Sequence, residues 1–87
     1  MYIADIVEGL SHIAAVEGEP EYAARLFGGA QARRESADIS RWVYYREEYE
    51  RSLALARAQL SKAQWQAAWA EGYALSLEQI VMLALAG

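Results

Sequence analysis

The stretch Leu10–Ala30, LSHIAAVEGEPEYAARLFGGA, decides the fold. At its centre, Gly18-Glu19-Pro20 is a helix stop followed by a helix start. Gly18 can adopt the left-handed conformation that ends a helix, and Pro20 suits the first turn of the next one. Before the turn, Leu10, Ile13 and Ala14 offer an apolar stripe; after it, Ala23, Leu26, Phe27 and Ala30 offer another. Residues spaced by three, four and seven share one helix face, so the two stripes predict a helical hairpin zipped along a seam.

The flanks extend this pattern. Ile3, Ile6 and Val7 continue the first stripe, predicting a helix from about Tyr2 to Glu17 with Asp5, Glu8 and Glu17 in water. His12 falls between stripe positions with no partner at helical spacing, which makes it a structural or surface residue. The second helix is expected from Pro20 to about Glu35. Gly28-Gly29 inside it costs about 1 kcal/mol per residue relative to Ala. The pair is best explained by another helix approaching closely where side chains are absent. A phosphate cradle would need a preceding strand and a following Lys, and neither is present. Arg25, Arg33 and Arg34 read as solvated surface, with Glu21 able to pair with Arg25 across one turn.

A connector, Ser36–Ser40, ends in a suitable N-cap at Ser40, with Ile39 placed to staple onto Tyr44. The third helix, Arg41 to about Leu60, is expected to be the longest. Its stripe is Trp42, Tyr45, Tyr49, Leu53, Ala56 and Leu60; Arg46, Glu47, Glu50 and Arg51 form opposite-charge pairs on its wet face. Ser61-Lys62-Ala63-Gln64 and Ser76-Leu77-Glu78-Gln79 are capping boxes, stapled by Leu60 with Trp65 and by Leu75 with Ile80. They predict helices at about 62–71, stopped by Gly72, and at 77–86. The former should bury Trp65, Ala68 and Trp69, and the latter Leu77, Ile80, Val81, Ala84 and Leu85. With Met82 and Leu83 on its other side, the last helix is apolar nearly all round. Such a helix is either central or covered by something outside its own chain.

The whole chain therefore reads as one all-α domain, residues 1–87, with about five helices: a hairpin, a long helix and a C-terminal pair. Hydrophobic residues make up 55% of it, which excludes a disordered chain. Eight Lys and Arg against twelve Asp and Glu, a net charge of −4, leave no electrostatic footprint for nucleic acid. No apolar run reaches the roughly 18 residues of a membrane span, and the start, MYIADIVEGL, lacks a basic leader region. With no cysteine, the expectation is a cytoplasmic protein.

Set against the tetratricopeptide pattern, Leu10, Gly18, Ala23, Phe27 and Ala30 fall at the expected offsets. Val7 replaces the usual Trp, Ser11 the Gly, Ala14 the Tyr and Glu35 the closing Pro; no second copy follows. Over nearly the whole length, GEPEYAARLFGGAQARRE and EYERSLALARAQLSKAQWQAAWAEGYALSLEQIVMLALA resemble the last tetratricopeptide-like segment of large bacterial signalling ATPases and LuxR-type transcriptional regulators. The resemblance rests on the A-A-R-L-F-G run, on W-A-E-G followed by L-S-L-E, and on the alanine-rich ending. It implies a helical protein-interaction region, a fragment or short relative of a larger regulator, with no catalytic residue to carry over. Within these 87 residues there is neither a Walker motif nor a DNA-binding domain of the kind those regulators carry.

Chemistry is thinly represented. A metal site from Glu47, Glu48 and Glu50 would need side chains that diverge around a helix to converge. A carboxylate pair such as Glu47 with Glu71 has no spacing to support it, and no nucleophile setting exists. A helix-turn-helix role for the C-terminal pair fails because its second helix carries no Arg, Lys or Asn to read bases. The expected function is a non-catalytic protein–protein interaction module without cofactor or metal. Its partner would be the rest of a larger regulator or a second copy, the last helix then forming the seam of a homodimer. The contact candidates are Tyr2, Tyr44, Tyr73, Met82 and Leu83, residue types that commonly anchor interfaces.

Overall fold

The computed structural model describes residues 3–37 and 43–86. These form five helices and no strand: α1 (Ile3–Val16), α2 (Pro20–Ala37), α3 (Val43–Ala58), α4 (Lys62–Tyr73) and α5 (Leu77–Ala86). The fold is all-α, as expected. Among the described residues α2, not α3, is the longest helix, and it touches each of the other four.

The hairpin turn forms as the sequence dictates. Gly18 takes a φ of +78°; its N–H donates to the Ala15 carbonyl at 3.3 Å, and the Glu19 N–H to Ala14 at 2.9 Å. Two such bonds around a left-handed residue satisfy carbonyls left over at the end of α1. Gln59 supplies a third donor to this end, its Nε2 lying 3.1 Å from the Ala15 carbonyl.

The seam itself is rotated from expectation. On α2, Ala23, Leu26, Phe27 and Ala30 are buried as predicted; on α1 the expected Val7 and Ala14 are buried too, but they are joined by Ala4, Ser11 and Ala15. Ile6 and Ile13 point outward and Leu10 is half-buried. Small residues on both faces let the two helices approach closely, and a bulky Ile would hold them apart. Burying Ser11 carries no unsatisfied hydroxyl, because its Oγ donates to the Val7 carbonyl at 2.8 Å.

Arg34 is a second departure. It is not solvated surface: its side chain is only 5% exposed. The guanidinium holds Glu8 through two bonds of 2.8 Å and Asp5 through one of 2.5 Å. Asp5 stays exposed as expected, whereas Glu8, also expected in water, is half-buried, and through Arg34 both tie α1 to α2. These bonds favour the charged guanidinium and raise its pKa further above the ordinary arginine range, Glu8 contributing most and burial opposing.

The close approaches of α4 and α5 to α2 explain three glycines. A Cβ at Gly28 would run into the Trp69 carbonyl, one at Gly29 into the Ile80 side chain, and one at Gly72 into the Arg25 backbone. Gly28 and Gly29 thus permit the close approach expected of them. Gly72 is not the stop of α4. It lies buried inside the helix, which ends one residue later with Ala74 as a right-handed cap. Its role is to admit the backbone of α2. Around this crossing Phe27, Trp65, Ala68 and Ala56 form one core cluster, with Phe27 edge-on to Tyr49 at 5.6 Å between ring centroids. Leu60 and Leu53 pack against it. A second cluster holds Val7, Leu26, Ala30 and Ile80.

On α3, Ala56 is buried and Tyr49 and Leu53 half-buried, in keeping with the predicted stripe, and Ser52, outside that stripe, is buried as well. Trp42 and the Ser40 cap lie outside the described residues, and the Tyr45 side chain outside the described set. His12 has a partner after all, distant in sequence: its Nδ1 meets the Ser52 hydroxyl across α1 and α3.

Candidate interaction surface

Both capping boxes form. Ser61 accepts from the Gln64 N–H at 3.1 Å while Gln64 accepts from the Ser61 N–H at 2.9 Å. Ser76 and Gln79 repeat the exchange at 3.2 and 2.9 Å. The second box fixes where α5 begins. Its other end is held by Tyr22 of α2, whose hydroxyl donates to the Leu83 carbonyl at 2.8 Å; the Ala84 carbonyl lies 3.3 Å away. These carbonyls belong to the last turn and have no partner within α5.

Anchored at both ends, α5 inserts one side into the fold. Ile80 is fully buried over Gly29, and Val81, Leu83 and Ala84 pack half-buried against the second cluster with Leu10. The rest faces outward. Leu85 is 81% exposed, Met82 68% and Leu77 47%. Leu77 and Leu85, expected in the core, are therefore surface residues. A ten-residue helix on one flank of α2 can bury only one stripe, and Ile80 takes the space that Gly29 leaves.

The neighbouring edge of α1 is apolar too. Ile6 and Ile13 stand four residues before and three after Leu10, on the same side of the helix, and both are about half exposed. Successive contacts set the helix directions. Along α2, Tyr22, Gly29 and Arg33 meet Leu83, Ile80 and Leu75 in turn, so α5 runs antiparallel to α2. The hairpin makes α1 antiparallel to α2 as well. Hence α1 and α5 run side by side in one direction, each presenting large apolar side chains to the outside.

The three sequence candidates whose side chains are described, Tyr73, Met82 and Leu83, are scattered. Met82 lies on the open face of α5. Leu83 is half-buried on its inner side and contributes little to the surface. Tyr73 is exposed at the end of α4, its hydroxyl donating to Glu35 of α2; this bond holds the Glu35 carboxyl below its usual range and pushes the Tyr73 phenol up. Tyr44 lies within α3, with its side chain outside the described set, and Tyr2 lies outside the described residues. Sequence reading missed Leu85, Ile6 and Ile13. The available signal was the small-residue spacing Ala4, Ser11, Ala15, which marks the close-packed side of α1 and turns the isoleucines away.

Among the described residues, no three His, Asp or Glu are placed to hold a metal ion. Glu47, Glu48 and Glu50 are exposed on α3. Glu71 engages Arg25 at 3.1 Å, and Arg25 also reaches Glu21 at 3.8 Å, the pairing expected within α2. No described helix is long and apolar enough to cross a membrane. Compared with family models, curated proteins and solved structures, the chain matches none.

Proposed function

We propose that this chain is a non-catalytic protein–protein association module that works through the outer faces of α5 and α1. The observation that carries the reading is the exposure of Met82 and Leu85 along a helix pinned at both ends. A rigid helix that holds large apolar side chains in water is a prepared contact surface. Its setting in a bacterial signalling or transcription-regulatory protein, cytoplasmic and of the tetratricopeptide-like kind, is supported by the sequence resemblance alone.

The test is position-dependent crosslinking in the native cell. A photoreactive side chain at Leu85 should trap a defined adduct, and the same group at exposed Glu48 should not. Adding Met82→Glu should remove the adduct while the helical far-ultraviolet spectrum persists. Equal trapping at both positions, or none, would sink the reading. Leu85 and Met82 are better probes than Leu83, because Leu83 also supports the core.

A further inference from the structure

Building on the association reading, we infer that the partner seated on the α1–α5 face is a helical segment, apolar on one side and carrying Lys or Arg at its two ends. The warrant is the way charge divides in this chain. Residues 3–19 and 76–86 hold five carboxylates, Asp5, Glu8, Glu17, Glu19 and Glu78, and no Lys or Arg. The remaining residues hold seven carboxylates against eight cations, so these two segments carry −5 and the rest of the chain +1, which together make the net charge of −4.

Arg34 pairs with both Asp5 and Glu8 from inside the fold and offsets one of their two charges. Among the described residues, Glu17, Glu19 and Glu78 meet no Lys or Arg, and all three are exposed. Their positions are informative. Glu78 precedes Met82 by four residues and Leu85 by seven, which places it on their stripe. Glu17 follows Ile13 by four, at the end of the α1 edge. Because α1 and α5 run in the same direction, Glu78 stands at one end of the apolar face and Glu17 and Glu19 stand at the other.

The α1 edge from Ile6 to Glu17 spans about 16 Å at the helical rise per residue, the length of three helical turns. An amphipathic helix laid on such a face makes its apolar contacts centrally and its charge contacts at the rim. A second copy of this chain fits poorly. A two-fold contact presents the same patch from both sides, and this patch has no cation to answer its own glutamates. A cationic helix answers them at both ends.

The experiment uses the full chain, isotopically labelled, and two synthetic peptides of about 14 residues. Both repeat one leucine stripe; one carries Lys at both ends and the other Glu at both ends. The Lys peptide should perturb amides of α1 and α5 and bind at least about tenfold more tightly than the Glu peptide, with the gap closing in high salt. Glu78→Lys should weaken the Lys peptide and strengthen the Glu peptide, at unchanged helicity. Equal affinities that Leu85→Glu abolishes would keep the association reading and overturn the cationic partner. Binding mapped to Glu47, Glu48 and Glu50 on α3 would overturn it as well. So would a sedimentation mass showing that a second copy already covers α5. Neither peptide binding, with no adduct trapped from position 85 in the cell, would remove both proposals.

Discussion

The α2–α4 crossing and α5 are both short helices laid on the same long one, yet they meet it in opposite ways. At the crossing, glycines remove side chains so that backbone meets backbone, and the aromatic residues close around the contact. At α5, one isoleucine fills a glycine gap, one tyrosine holds the far end, and the outer side chains stay in water. The first arrangement turns its apolar surface inward, where interior packing leaves no room for change. The second keeps apolar surface outward and is stable through its caps and its single buried stripe. A fold of this size can therefore combine a rigid centre with an unfilled face.

Substitutions should separate these two regimes. The largest effect is expected from Gly72→Ala. Ala favours a helix interior by about 1 kcal/mol over Gly, yet its Cβ would overlap the Arg25 backbone, which cannot rotate away. A net loss of about 2–3 kcal/mol is expected from such overpacking, read as a lowered denaturant midpoint. Gly9, where an added Cβ would meet nothing within 4 Å, is the control, and Gly9→Ala should stabilise by up to about 1 kcal/mol. If both variants behave alike, the close crossing is wrong.

Next comes Arg34→Met, which leaves Glu8 half-buried without its cation; about 2 kcal/mol should be lost, less than for a fully buried pair because Asp5 reaches water. Arg34→Lys should recover only part of it, since a single ammonium cannot make the two-pronged bond to Glu8. Because the pKa of Arg34 is raised, its contribution is complete below the ordinary arginine pKa and would fade only as pH rises through the higher folded value. The loss on substitution should therefore not grow between neutral and moderately alkaline pH.

Tyr22→Phe tests the other regime. It removes one donor from the end of α5 and should cost about 1 kcal/mol, with faster amide exchange at residues 80–86 and little change at the crossing. An equal rise in exchange across α2 and α4 would show that α5 is no separate unit. The smallest effect is expected from Tyr73→Phe on the exposed rim. Glu35 has a lowered folded pKa, so its contribution is present above the ordinary carboxylate pKa and lost as pH falls through the depressed one. In the variant, the Glu35 carboxyl should titrate closer to its ordinary value, followed by carboxyl chemical shifts.

Much of this was legible in the residues because local rules dominate where helices start and stop. Gly18 and Pro20 set one turn, and Ser61 with Gln64 and Ser76 with Gln79 set two starts through bonds spanning three residues. Such contacts depend on neighbours in the chain. Facing is different. Ile13 and Ala15 both extend stripes on α1, and only the presence of an alanine-rich α2 favours the smaller one inward. Gly72 looked like a stop because glycine commonly ends helices, and it became a contact point because α2 crosses there.

The candidate surface divides in the same way. Sequence alone made α5 a helix, made it apolar on nearly every side, and put Met82 on show. It placed Leu85 inward and Leu83 outward, the reverse of the structure, since both are leucines and their separation of two residues puts them on different sides of a helix whose orientation no local rule sets. Tertiary structure chose, through Gly29 admitting Ile80 and Tyr22 reaching the Leu83 carbonyl. The same holds for Arg34, which pairs with residues more than two dozen positions away. Composition and capping determined an all-helical chain and the ends of its helices, because those follow from interactions within a turn or two. Which face each helix buries, and which it leaves for another molecule, was decided by where the chain returns to meet itself.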